Sequence, residues 1–218
     1  MSEVKVIRRH RPAPFRPSVR RPFVLPAAVK ALGIVTSTGG PNALVQLLGK
    51  LEPDFPAPVF VVQHIASGFL DAFADWLAQV SPFPVQIVHK HCATAPGTIY
   101  VACPDHHLVV GRGVARTART SAVCGQRPSG NVLFESMADS LGSRSLGVLL
   151  TGMGEDGAEG LLRIHQSGGY TIAEDESTAV VYGMPAAAVR LGGVSESLPL
   201  HAIAPRIREL VPANGEVA

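Results

Sequence analysis

Short apolar runs recur along this chain, and each closes in a polar or glycine-rich turn before a segment of helical spacing begins. Ala31–Val35, Ala57–Gln63, Pro84–Val88, Ser145–Leu150 and Tyr170–Ala173 are such runs. Runs this short and this apolar suit strands buried on both faces, as in a parallel sheet. Parallel neighbours need long crossovers, which the helical segments between them can supply. The expected fold is therefore α/β: a doubly wound, mostly parallel sheet flanked by helices.

The first unit shows the pattern in full. Ala31–Val35 reads as a strand, Ser37-Thr38-Gly39-Gly40 as a tight turn, and Leu44, Leu47 and Leu48 line one face of a helix. Pro41 suits the first turn of that helix, where a missing N–H costs nothing. Gly39 and Gly40 let the backbone turn sharply and aim N–H groups at a ligand. Ser37 is then expected at a strand's carboxyl end and a helix's amino end, where developing negative charge is stabilised.

The remaining elements follow in order. Ser67 is expected to cap a helix with Asp71 in its first turn and Phe69, Phe73, Trp76, Leu77 and Val80 on its apolar face. Between about 97 and 120 the texture changes to short β-type runs, Thr98–Ala102, His107–Val110 and Val114–Thr120, which predict a small antiparallel hairpin or meander. Helices are predicted over Asn131–Leu141, Ala158–Gln166, Met184–Leu191 and Ile203–Leu210, with an edge strand over Val194–Leu198.

The 218 residues are enough for one sizeable domain, expected over residues 31–211, with a tail over 212–218. Residues 1–30 read as an extended, basic, proline-rich arm. Residues 1–22 carry a net charge of +6, against −4 for the remainder. Such an arm attracts an acidic protein, a membrane surface or nucleic acid, or is simply a solvated leader. No apolar run is long enough to span a membrane and no apolar leader opens the chain, so a cytoplasmic location is expected. Three cysteines, Cys92, Cys103 and Cys124, make no disulfide framework.

Open α/β sheets place their sites at the carboxyl ends of strands. Ser37 follows one predicted strand, His64 a second, and Glu155 and Asp156 follow a third through Thr151-Gly-Met-Gly154. A hydroxyl, an imidazole and a carboxylate on one sheet edge are the set needed for acyl transfer. Serine needs a base to take its proton, and the base needs an acid to hold it. Spacing alone leaves Glu155 and Asp156 both open, and each residue also has a plain structural use: Ser37 as a helix cap, His64 as a structural imidazole, Asp156 as the N-cap of the next helix. A second histidine and cysteine group, His89, His91, Cys92, Cys103, His106 and His107, matches no strong metal template. Strand alternation would also point His106 and His107 to opposite faces, so no metal is expected. Neither the dinucleotide fingerprint nor the P-loop pattern follows the first strand, so no nucleotide cofactor is expected. Nucleic acid is not an expected partner.

Six stretches in order resemble one family. Ser37-Thr-Gly-Gly-Pro41, Val62-Gln-His-Ile-Ala-Ser-Gly-Phe69, Pro96-Gly97 with Ile99–Ala102, Arg127-Pro-Ser129 with Val132-Leu-Phe134, Leu150–Ala158 and Val181-Tyr-Gly-Met-Pro185 are similar to the CheB chemotaxis receptor methylesterase domain. The resemblance implies a Ser-His-Asp triad that hydrolyses glutamate methyl esters on chemoreceptor signalling helices, with glutamine deamidation as a second family activity. It assigns Ser37 as nucleophile, His64 as base and Asp156, over Glu155, as orienting acid. It also implies a backbone oxyanion donor at Met153 and a hydroxyl near the histidine at Thr38, with Gly39 lining the site. The expected partners are methylated receptor helices and a separate receiver or regulatory protein, since about 30 residues are too few for the receiver domain that commonly opens the family.

Four residues depart from the family pattern, Val35 and Thr36 ahead of the serine and Gly130 and Asn131 further on. Thr36 replaces a small residue ahead of the serine and is expected to narrow the site. Gly130 and Asn131 stand where the family has an apolar residue and a carboxylate near the presumed cleft. These departures bear on substrate more than on catalysis. The competing readings are a related serine esterase or amidase acting on a non-chemotaxis protein, and a non-catalytic module of the same fold.

Overall fold

A computed structural model describes residues 28–212; residues 1–27 of the expected basic arm and all but the first residue of the expected C-terminal tail lie outside the described residues. Seven strands form one parallel sheet in the order β10-β9-β8-β1-β2-β5-β3. They are β1 (Ala31–Thr36), β2 (Val59–Gln63), β3 (Val85–Val88), β5 (Ile99–Ala102), β8 (Ser145–Leu149), β9 (Tyr170–Glu174) and β10 (Glu196–Leu198). A second sheet is antiparallel, β4 (His91–Ala93), β7 (Val114–Ala118) and β6 (His107–Gly111), in the order β4-β7-β6.

The expected doubly wound sheet is thus present, with one correction in the β-rich stretch. The run at 98–102 leaves the predicted meander and pairs in parallel between β2 and β3, while His91–Ala93 supplies the small sheet's third strand. The physical reason is burial. All four residues of β5 are buried, which fits the middle of a two-faced sheet rather than a hairpin with a wet side.

Helices cover both faces. Along β1 the side chains alternate: Leu32 and Ile34 face the core shared with α1 (Gly40–Leu48), α2 (Leu70–Val80) and α6 (Leu200–Leu210). Ala31 and Val35 face the opposite core, built from α3 (Gly130–Leu141), α4 (Ala158–Gln166), α5 (Met184–Leu191) and the inner side of the small sheet. This period of two in a fully buried strand is why no polar–apolar alternation is visible in the sequence.

Two local expectations change. Helix α2 begins at Leu70, after a 3-10 turn over Ser67–Phe69, with Phe69 rather than Ser67 in the capping position. Phe69 leaves the apolar face and is 64% exposed. Helix α6 begins at Leu200 rather than Ile203, and the Leu200 N–H is taken up by the Thr178 hydroxyl at 2.9 Å.

The α3–α4 contact positions the site, and it depends on Gly160. A Cβ there would come within 2.7 Å of the Asn131 carbonyl oxygen and 2.9 Å of its Cα, both backbone atoms. Gly160→Ala is therefore expected to destabilise the protein by about 1–3 kcal/mol, as overpacking against an unyielding neighbour does, despite alanine's better helix propensity. Urea unfolding at neutral pH measures it.

Candidate active site

Four neighbouring strands, β9, β8, β1 and β2, deliver the candidate residues to one sheet edge. Ser37 follows β1, His64 follows β2 and Asp156 stands in the turn after β8. His64 Nε2 lies 2.8 Å from Asp156 Oδ2, and the two side chains are only 6% and 3% exposed. Glu155, the alternative acid, is exposed to solvent. With Nε2–H committed to the carboxylate, Nδ1 is the histidine nitrogen left to accept a proton. Nδ1 is buried and has no hydrogen-bond partner among the described residues.

Asp156 does not cap α4, as its position before that helix suggested. Gly157 takes the capping place at φ 90°, in left-handed backbone where a side chain would be strained. The Asp156 carboxylate turns instead to the amino end of α3. It accepts the Ser129 hydroxyl at 2.6 Å, the Gly130 N–H at 2.6 Å and the Asn131 N–H at 3.2 Å. These are the donors an α-helix leaves unpaired at its start, and the helix dipole favours an anion there. Burial works against ionising Asp156, but the hydrogen bonds from His64, Ser129 and Gly130 outweigh it and hold its carboxyl below the usual range.

Gly130 and Asn131 acquire a meaning that their departure from the family pattern did not suggest. Both are buried at the amino end of α3. A Cβ on Gly130 would run into Val35 and lie 3.1 Å from the Gly157 Cα. The Asn131 side chain accepts the Gly160 N–H at 2.9 Å, joining the starts of α3 and α4. Thr36 is likewise corrected: it is fully buried and its hydroxyl donates to the Thr151 carbonyl at 3.0 Å, so it does not narrow the mouth.

The turn at Ser37 is held through its backbone. The Ser37 N–H donates to Thr151 O, and Ser37 O accepts Gly40 N–H and Gln63 Nε2. The same Gln63 amide donates to His64 O at 3.0 Å, so one buried side chain ties the serine and histidine segments together. Gly39, at φ 84°, closes the turn where a Cβ would meet Val180 at 2.8 Å. Thr38 is exposed, its carbonyl accepts the Thr151 hydroxyl, and its own hydroxyl makes no bond to His64. Among the described residues, the N–H groups of Thr38, Gly39 and Met153 have no protein acceptor and are available to an oxyanion. The most exposed large apolar side chains among the described residues, Met153, Val180 and Phe69, stand on loops after β8, β9 and β2.

Thr151 is the hub beneath this turn, and Glu174 holds it. The Glu174 carboxylate is fully buried at the end of β9, accepting Thr151 N–H at 2.8 Å and the Thr178 hydroxyl at 3.0 Å. Burial pushes its pKa above the usual carboxylate value, although both hydrogen bonds pull it down. A raised value in the folded state means that ionisation costs stability as pH rises through it. Glu174→Gln keeps an acceptor for Thr151 and has no such cost. Its stability relative to wild type is expected to improve from pH 4 to pH 7, which urea unfolding at the two values checks.

Sequence reasoning missed Gln63, Ser129, His107, Thr151 and Glu174 as parts of this site. Gln63 and Glu174 had a signal: each is a polar residue closing a mostly apolar strand, and a buried polar group must find partners. In the histidine and cysteine group His107 is buried and His106 half-buried, and Cys92 and Cys103 are free thiols, as is Cys124 outside it. Among the described residues no three metal-ligating side chains converge, and no helix is long and apolar enough to cross a membrane.

The chain is similar to known proteins in sequence and in fold. A family model described as CheB methylesterase matches residues 32–207. A protein-glutamate methylesterase/protein-glutamine glutaminase of Paramagnetospirillum magneticum is 52% identical over 185 residues, covering 85% of this chain and 53% of that protein. One from Anaeromyxobacter dehalogenans is 48% identical, covering 84% of this chain and 54% of that protein. The chain thus spans about half the length of these curated relatives. The crystal structure of the Thermotoga maritima CheB methylesterase catalytic domain superposes with a TM-score of 0.80 at 33% identity, covering 85% of this chain and all of that one.

Proposed function

This chain belongs to the CheB methylesterase family, and on that premise we propose that it hydrolyses glutamate methyl esters on methylated chemoreceptor helices through Ser37, His64 and Asp156. The observation that carries the reading is the His64–Asp156 hydrogen bond at 2.8 Å, which leaves a buried, unpartnered Nδ1 at the edge where Ser37 stands.

The chemistry follows from that arrangement. Ser37 Oγ attacks the ester carbonyl while His64 Nδ1 takes its proton. Asp156 holds the ring in one tautomer and stabilises the imidazolium that forms. The tetrahedral oxyanion is met by free N–H groups in the Ser37-Thr-Gly-Gly40 and Gly152-Met-Gly154 turns. One such donor is worth about 3 kcal/mol of barrier. Methanol leaves with the proton from His64. Water then attacks the acyl-enzyme by the same steps in reverse, giving the free glutamate. Replacing the methoxy group by an amide accounts for glutamine deamidation, the second activity in the names of the relatives.

Methanol release from a methylated receptor fragment tests the proposal. Release by the wild-type chain above the buffer rate is expected. Labelling of Ser37 by a fluorophosphonate probe without methanol release would shift the reading to a serine esterase or amidase of another protein. The absence of both would overturn the triad.

A further inference from the structure

The donors that hold Asp156 are themselves held, and the residue that does so plays no part in the reaction just described. His107, at the start of β6, is fully buried. Its Nδ1 accepts the backbone N–H of Ser129 at 3.2 Å, and its Nε2 lies 3.0 Å from the Ser121 carbonyl oxygen. Because a backbone N–H can only donate, Nδ1 must be the acceptor and Nε2 carries the ring proton. His107 therefore bridges both ends of the loop that enters α3. The same loop is clamped from the other side by Arg127. Its Nε donates to Asp105 at 2.8 Å and its Nη1 to the Thr120 carbonyl at 2.9 Å.

We propose that His107 is a positioning residue for the hydrolysis, fixing Ser129 so that the start of α3 holds the Asp156 carboxylate against His64. This rests on the reading of Ser37, His64 and Asp156 as the triad. The path is short and continuous: His107 Nδ1 to Ser129 N–H, Ser129 Oγ to Asp156 Oδ1, and Asp156 Oδ2 to His64 Nε2. Ser129 is the N-cap residue of α3, with extended backbone at φ −108° and ψ 138°, and its hydroxyl bonds Asp156 rather than its own helix. A serine released from the usual capping bond needs another restraint on its backbone, and His107 supplies it. Without that restraint three of the four hydrogen bonds to Asp156 lose their common anchor, since Gly130 and Asn131 follow directly in the chain.

Two substitutions separate positioning from bulk packing. His107→Asn places an amide oxygen near the position of Nδ1 and gives up the bond to Ser121. His107→Gln reaches toward Ser121 and gives up the bond to Ser129. Both lose one of two buried hydrogen bonds, so similar losses of thermal stability are expected. Fluorophosphonate labelling of Ser37 is expected to slow on the order of tenfold in His107→Gln and to recover most of the wild-type rate in His107→Asn. In a Ser129→Ala background the further effect of His107→Gln should shrink without vanishing, because the hydroxyl path is gone while the Gly130 and Asn131 bonds still depend on the anchor. The downfield proton NMR signal of His64 Nε2–H gives a readout independent of turnover. It should broaden or move in His107→Gln and stay in place in His107→Asn. Equal labelling rates and equal spectra for the two variants, or full additivity with Ser129→Ala, would overturn the proposal. Failure to label wild-type Ser37 would sink the triad reading instead, while the His64 signal still decides whether His107 positions Asp156.

Discussion

Ser37→Ala is expected to abolish methanol release, with a fall in rate on the order of 10⁵-fold, while leaving the protein as stable as wild type. The two halves of that expectation come from different atoms. Every hydrogen bond that shapes the turn uses the Ser37 backbone: its N–H to Thr151, and its carbonyl to Gly40 and Gln63. Alanine keeps all of them, and keeps the Cβ that packs beside Gly152. The hydroxyl has no structural partner among the described residues, so its removal should change unfolding free energy by no more than about 0.5 kcal/mol. A residual rate from the free N–H groups and substrate binding is normal for such a deletion. A substantial loss of stability, or a rate within tenfold of wild type, would show that Ser37 is not the nucleophile.

Asp156→Asn should be as damaging to the rate, by about 10⁴-fold, but unlike the serine variant it should also weaken the fold. Both carboxylate oxygens receive hydrogen bonds. Oδ2 takes His64 Nε2–H and Gly130 N–H, and Oδ1 takes the Ser129 hydroxyl and Asn131 N–H. Either orientation of an asparagine amide sets an NH₂ group against a backbone N–H that cannot turn away. Leaving buried donors facing each other costs about 1–3 kcal/mol. If the NH₂ takes the Oδ2 position, His64 must also reverse its tautomer, which puts the ring proton on the nitrogen needed as base. The stability difference should depend on pH in a definite direction. The hydrogen bonds hold the folded-state pKa of Asp156 below that of a free aspartate, so its contribution is fully present above the free value. It is lost as pH falls through the lower, folded-state value. The deficit of Asp156→Asn is therefore largest near neutrality and should close on acidification below about pH 4, as urea unfolding at several pH values would reveal.

The contrast between these variants reflects how much of the site could be read from the chain. Ser37 and His64 were legible because each follows a short apolar run, and the ends of parallel strands gather at one edge whatever the details of packing. Asp156 was legible only as one of two adjacent carboxylates until the family resemblance separated it from Glu155. The spacing carries no information on which of the two turns inward. The structure buries Asp156 and leaves Glu155 exposed because the start of α3 offers donors on one side of the turn only. The misplacement of Thr98–Ala102 has the same origin. Its composition suits a strand in either sheet, and what decides between them is the set of buried neighbours on both of its faces.

By itself, then, the sequence determined the alternation of strand and helix, the buried sheet, and the edge on which Ser37 and His64 both stand. Those are consequences of local periodicity and turn chemistry, which short segments carry within themselves. Only the tertiary structure decided that Asp156 draws its hydrogen bonds from α3 rather than capping α4, that Thr36 faces inward, and that His107 and Glu174 hold the two turns from beneath. Each of these is a hydrogen bond between residues far apart in the chain. Each exists because a buried polar group must be satisfied by whichever partner the folded packing brings within reach.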